Sequence, residues 1–199
     1  MKMKYTSAIK SMPFLFLEMK RTAMLLNEGK TKEEILALSI DENVYQLDKE
    51  KRRRELPLKM LSRLSTINAE LIKVIATGQD SEAKLIAFFA MMKADRLLFE
   101  YMYEVVADKF SMGHKEVTDR DYEEFIDRKI QNSDTVAGWK TDNLIRVRNS
   151  IKNALVDAGL AVKSGNDLMI LPPLVDKEFC RLLDDEDKPC VKAIMLSPQ

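Results

Sequence analysis

The side chains best suited to chemistry in this sequence are cations and amides of the kind that meet nucleic acid. From Thr141 to Ala158 the apolar residues Leu144, Val147, Ile151, Leu155 and Ala158 share one side of a helical projection, leaving Asp142, Arg146, Asn149 and Asn153 on the other. Arg148 and Lys152 lie nearer the flanks, with Lys140 and Thr141 at the N-terminal end. Arginine can make paired contacts to a guanine edge and asparagine to an adenine edge, and a helix N-terminus can receive a phosphate. Residues 140–152 hold four bases and one acid, whereas 176–188 hold three bases and six acids, so the balance of 32 basic and 32 acidic residues conceals an uneven distribution. The same face is compatible with plain solvation or with docking a protein.

A second basic segment runs from Lys49 to Arg63 and includes Lys51, Arg52, Arg53 and Arg54, with seven bases against Glu50 and Glu55. Such density suits sequence-independent contact with a phosphate backbone. It equally suits a solvated helix end whose cations face free carbonyls.

Other chemistry is poorly provided for. The single histidine, His114, sits between Gly113 and Lys115 in an apparent turn and has no partner cluster, whereas zinc needs about four suitable ligands. Cys180 and Cys190 read as free thiols of a reduced, cytosolic chain. No phosphate-cradling glycine loop or nucleophile elbow appears, and only six glycines are present to build one. Neither catalysis, nor a cofactor, nor a bound metal, nor a small-molecule substrate is expected. Asp184-Asp185-Glu186-Asp187 lacks the alternation of a calcium loop and reads as a solvated terminus. No uncharged run exceeds eight residues, far below the roughly 18 or more of a membrane span, and the start carries no cleavable signal, so a cytoplasmic chain is expected.

The elements that position these residues are mainly helical, because apolar residues recur every three to four positions through the first two-thirds. The spacing predicts a helix from about Pro13 to Asn27 ended near Gly29, and Thr31-Lys32-Glu33-Glu34 forms a capping box for a second. A third is expected from Asp41-Glu42-Asn43 to Arg54, and a fourth from Pro57. Residues 81–110 would span about 45 Å as one helix, at about 1.5 Å per residue. One charged stripe marks that segment: Lys93, Arg96, Glu100 and Glu104. It reads first as intrahelical ion pairing, then as contact with another helix, then as a binding site. The texture changes after Gly113, which divides the chain into 1–113, a helical bundle, and 114–199. The second part reads as a helix from Thr118 or Asp119 to about Gln131, a short element to Trp139, the 141–158 helix, and a hairpin of 160–163 and 168–171 around Ser164-Gly165-Asn166-Asp167. That order is the order of a winged helix-turn-helix.

Gly29-Lys30-Thr31-Lys32-Glu33-Glu34-Ile35, Glu42-Asn43-Val44-Tyr45-Gln46, Arg52-Arg53-Arg54 and Lys93-Ala94-Asp95-Arg96-Leu97 with Glu100-Tyr101 and Glu104-Val105 resemble the BrxA family of BREX phage-exclusion systems. Each motif is weak alone; their order and the total length carry the likeness. The resemblance implies a two-domain, mainly α protein without catalytic residues, similar in its N-terminal half to the NusB RNA-binding bundle, that binds double-stranded DNA in an antiviral system. Other proteins of that system are implied as further partners. An interaction adaptor and an RNA-binding antiterminator-like module are the alternatives. The resemblance transfers no residue beyond the two basic surfaces: Lys51, Arg52, Arg53 and Arg54 on one, and Lys140, Thr141, Arg146, Asn149, Lys152, Asn153 and the hairpin's Lys163 on the other.

Overall fold

In a computed structural model, residues 3–196 are described, and they are mainly helical with one small antiparallel sheet. The chain forms two compact units: Leu15–Ala94, and Met1–Phe14 together with Asp95–Gln199.

Helices α1 (Phe16–Asn27), α2 (Lys32–Asp41), α3 (Glu50–Leu64), α4 (Ala69–Thr77) and α5 (Asp80–Lys93) make up the 15–94 unit. Their starts follow side-chain chemistry. The Thr31 and Glu34 capping box opens α2, and Asn68 Oδ1 accepts from the Leu71 amide at 3.0 Å to open α4. Leu25, Ile35 and Leu61 pack together, with Leu26, Leu38 and Val44 against them. α5 is buried almost all round, from Ala83 through Met92, as its nearly continuous apolar surface requires.

The expected third and fourth helices are otherwise arranged. α2 runs on through Asp41, and Asn43 and Gln46 then adopt positive φ of 50° and 54°, which no right-handed helix accommodates. α3 starts at Glu50 and passes straight through Pro57, which was expected to begin a helix. A proline inside a helix removes the N–H that would bond the carbonyl four residues earlier. That carbonyl belongs to Arg53, and the buried Ser39 hydroxyl donates to it at 2.6 Å. The missing donor is thus supplied by the neighbouring helix.

The segment from 81 to 110 is not one helix. It breaks after α5 at Ala94-Asp95, where Asp95 turns extended and its Oδ1 accepts from the Leu98 amide at 3.1 Å. That cap opens α6 (Arg96–Tyr101), followed by a π-helical turn at Met102–Ala107 and α7 (Asp108–Ser111). All of these belong to the unit that begins again at Asp95, so the change of texture at Gly113 falls inside that unit. Tyr101 packs edge-on against Tyr122 and Phe125, with centroids 5.7 and 5.3 Å away.

Strand β1 (Glu116–Val117), α8 (Asp119–Asn132), α9 (Asp134–Ala137), α10 (Thr141–Asp157), β2 (Ala161–Ser164) and β3 (Asp167–Ile170) follow. Thr118 caps α8 in a box with Asp121. The sheet order is β1-β3-β2, with Val117 opposite Leu168 and Val162 opposite Met169. β1 was not expected. α11 (Lys177–Leu182) is followed by α12 (Lys188–Met195): Asp184, Asp185 and Asp187 are solvated as expected, but they are not a loose terminus, because Asp187 Oδ1 accepts from the Cys190 amide at 3.2 Å and α12 buries Ala193 and Ile194 while packing on the π-helical turn.

Replacing Ser39 by Ala should cost about 1 kcal/mol, because it leaves the half-buried Arg53 carbonyl without its helical donor. Chemical denaturation of Ser39→Ala beside the parent measures this. An unchanged midpoint would mean that the carbonyl finds another partner.

Candidate nucleic-acid interface

α10 is amphipathic as its sequence requires: Val147, Ile151, Ala154 and Leu155 are buried. The Tyr122 hydroxyl donates to the Leu144 carbonyl at 3.2 Å, and Lys10 Nζ donates to Asn143 Oδ1 at 2.7 Å, so α8 and the N-terminal segment both fix the helix. Gly159, at φ +76°, lets the chain turn back into β2. Lys140, Thr141, Arg146, Asn149 and Asn153 are all exposed. Asp142 and Ile145 share that face, and no side chain caps the first turn. In the hairpin, Lys163 is exposed next to Val162, and Gly165 at φ +63° makes the turn.

Lys152 does not belong to that open face. Its side chain is 14% exposed, and Nζ donates to Asp119 and to the Asn166 carbonyl. Arg148 is held likewise, 3.3 Å from Asp119 and 3.6 Å from Glu123, and its buried Nε has no hydrogen-bond partner among the described residues. The Asp119 amide in turn donates to Asp167 Oδ1 at 3.2 Å. Two of the four bases counted in 140–152 therefore join α8, α10 and the hairpin turn instead of projecting charge outward. Sequence reasoning missed Asp119 as their shared partner; it was noticed only as a possible cap.

The Lys49–Arg63 segment is also less cationic than its composition. Arg54 pairs with Glu50 at 2.8 Å, Lys51 with Glu55 at 3.7 Å, and Arg53 Nε donates to the Leu47 carbonyl at 2.8 Å. Arg63 is buried, at 2% exposure. Lys51 and Arg54 stay exposed, while Arg52 and Arg53 are half-buried. This surface lies in the 15–94 unit and the α10 face in the other.

Residues 3–187 match the BrxA family. The BREX protein BrxA of Bacillus cereus (strain H3081.97) is 36% identical over 184 residues, covering 91% of this chain and 92% of its own. The chain belongs to the BrxA family. A second BREX protein BrxA, from Escherichia coli O9:H4 (strain HS), is 23% identical over 97 residues, 49% of this chain and 46% of its own. The crystal structure of an uncharacterized protein from Magnetospirillum magneticum aligns with a TM-score of 0.82 at 22% identity, over 98% of this chain and 100% of that one, a likeness of fold. BrxA membership supports a place in a BREX phage-defence system.

The charged stripe quoted for the BrxA likeness forms a network. Glu100 receives Arg96 Nε, Lys129 Nζ and the Tyr5 hydroxyl, each at 2.7 Å, and Lys129 also reaches Glu104 at 2.6 Å. Arg96 lies 4.0 Å over the Tyr5 ring. Lys93 instead stacks over Phe89, 5.4 Å from its centroid. The network thus includes both an intrahelical pair and contacts to another helix. Burial would raise the Glu100 carboxyl, but the hydrogen bonds from Lys129, Arg96 and Tyr5 outweigh it and hold the group below the usual carboxylate range. Burial first, then the bond to Glu100, pushes the Tyr5 phenol up to about 12, which keeps it a donor. Asp121 is likewise held low: Lys109 at 2.5 Å and the Thr118 amide and hydroxyl outweigh its burial.

A carboxylate depressed in the folded state contributes stability above its unfolded pKa, about 4, and loses it as pH falls through the lower folded value. Urea stability should therefore hold down to about pH 4 and decline below it. Glu100→Gln should cost about 1–3 kcal/mol at neutral pH and flatten that acid limb. A variant retaining both the stability and the acid limb would show that Glu100 does not organise the network.

Proposed function

We propose that this BrxA-family chain is a non-enzymatic DNA-binding component of its BREX system, and that the part from Asp95 onward acts as a winged helix-turn-helix. In this reading α10 enters the major groove and the β2–β3 hairpin is the wing. The observation that carries the proposal is the exposed Arg146, Asn149 and Asn153 on α10, following the uncapped helix start at Thr141. Supporting it, α8, the short α9, the long α10 and the β2–β3 hairpin follow one another in the order of such a unit. The 15–94 helices would form the NusB-like bundle, adding backbone contacts through Lys51 and Arg54, and the protein would work in the cytoplasm. Among the described residues no helix is long and apolar enough to cross a membrane.

The ion pairs set the strength of the interaction. With Arg148 and Lys152 held by α8, the cations presented by this unit are chiefly Lys140, Arg146 and Lys163. At about 0.9 per phosphate, those three together with Lys51 and Arg54 predict a slope of log affinity on log salt of about −4 to −5, shallower than the raw base count suggests. A titration of duplex DNA across a salt series should return that slope. Arg146→Ala should weaken binding by about 1–3 kcal/mol with an unchanged thermal midpoint, because the side chain is exposed. Lys163→Ala should weaken all sequences equally. If both variants bind like the parent at every salt concentration, the winged-helix reading of function fails.

A further inference from the structure

Beside the polar face of α10 lies a different surface. A groove of about 350 Å³ runs between α8 and α10 within the same unit, walled by Ile126, Ile130, Leu144 and Ile145. Ile145 is 43% exposed, a large apolar side chain left in water. The groove lies at the small end of the range for ligand pockets, about 300–1,000 Å³, and so suits one or two side chains of a partner.

Its rim is acidic. Glu123 and Asp127 stand one helical turn apart on α8, where like charges repel and a cation between them is attracted. Glu123 has only the 3.6 Å contact to Arg148, which is closer to Asp119, and Asp127 has no ion pair among the described residues. The other cations of α8 are engaged elsewhere or sit outside the groove lining: Arg120 pairs with Glu124, Lys129 with Glu100 and Glu104, and Arg128 does not line the groove. Arg148 also lines the groove but is held by Asp119, which leaves the rim with a net negative charge that disfavours phosphate.

We propose that the α8–α10 groove docks a short cationic amphipathic segment of a partner protein, placing an apolar side chain against Ile126, Ile130 and Ile145 and an arginine or lysine one turn away between Glu123 and Asp127. Helix-in-groove recognition uses this spacing of anchors. The groove meets the polar face of α10 at Thr141 and Ile145, so docking is assayed in the absence of DNA.

The test uses the full chain and a fluorescent synthetic amphipathic helix carrying leucine and, four residues on, arginine, in the absence of DNA. Anisotropy should report a Kd of about 100 μM or tighter. Asp127→Lys, Ile145→Glu, or a glutamate in place of the peptide arginine should each weaken it about tenfold. Asp127 and Ile145 are exposed, and unchanged circular dichroism and thermal midpoints would confirm that the variants fold. No binding up to about 1 mM, or binding that ignores both variants, overturns the proposal. It is also overturned if sedimentation shows self-association abolished by Ile145→Glu, which gives the groove to a second copy.

Discussion

The half-buried carboxylate of Glu100 is the constraint on which the unit from Asp95 onward depends. Three groups from three separate stretches of chain converge on it: Tyr5 from the N-terminal segment, Arg96 from its own helix and Lys129 from α8. Removing two charges from water is costly unless every lone pair is engaged, and this carboxylate is engaged on both oxygens. Its position fixes α8 against α6 and the π-helical turn, where Tyr101 stacks edge-on with Tyr122 and Phe125. The first turn of α8 carries Asp119, which holds Arg148 and Lys152 of α10. Orientation thus passes from one acid to the next until it reaches the helix whose outer face is free.

The same accounting separates charge that a sequence contains from charge that a surface presents. In 140–152, half the bases are bound internally. In 49–63, Arg63 is buried, Arg53 bonds a backbone carbonyl, and Lys51 and Arg54 have acids one turn away. Exposed i,i+4 pairs are worth only about 0.3–0.5 kcal/mol and can exchange for phosphate, whereas the Asp119 pairs are shielded and hold the fold. In the proposed DNA-binding role, a shallow electrostatic contribution would leave more of the recognition to Arg146, Asn149 and Asn153.

Much of this was legible in the sequence. The α10 seam and its outward residues, the Thr31 box, the hairpin turn and the helical class all follow from spacing and cap chemistry acting over a few residues. What escaped depends on partners far along the chain. Pro57 looked like a helix start because nothing local reveals that Ser39 replaces its missing donor. The 81–110 segment looked continuous because its apolar pattern hides the Asp95 cap, although aspartate is itself a residue favoured at a helix N-cap. α12 was readable too, from Asp187 with Pro189 in its first turn. A strand of two residues, β1, leaves no periodicity to read.

The central claim is that α10 and the adjacent hairpin, oriented by Glu100 and Asp119, form the surface that meets DNA. Amide shift mapping of isotope-labelled protein with a duplex tests it most directly, because each backbone N–H reports its own surroundings. The account predicts perturbations concentrated at 140–153 and 162–166, with residues buried in the 15–94 helices unmoved. Shifts confined to 49–63, or none at low salt, would contradict it.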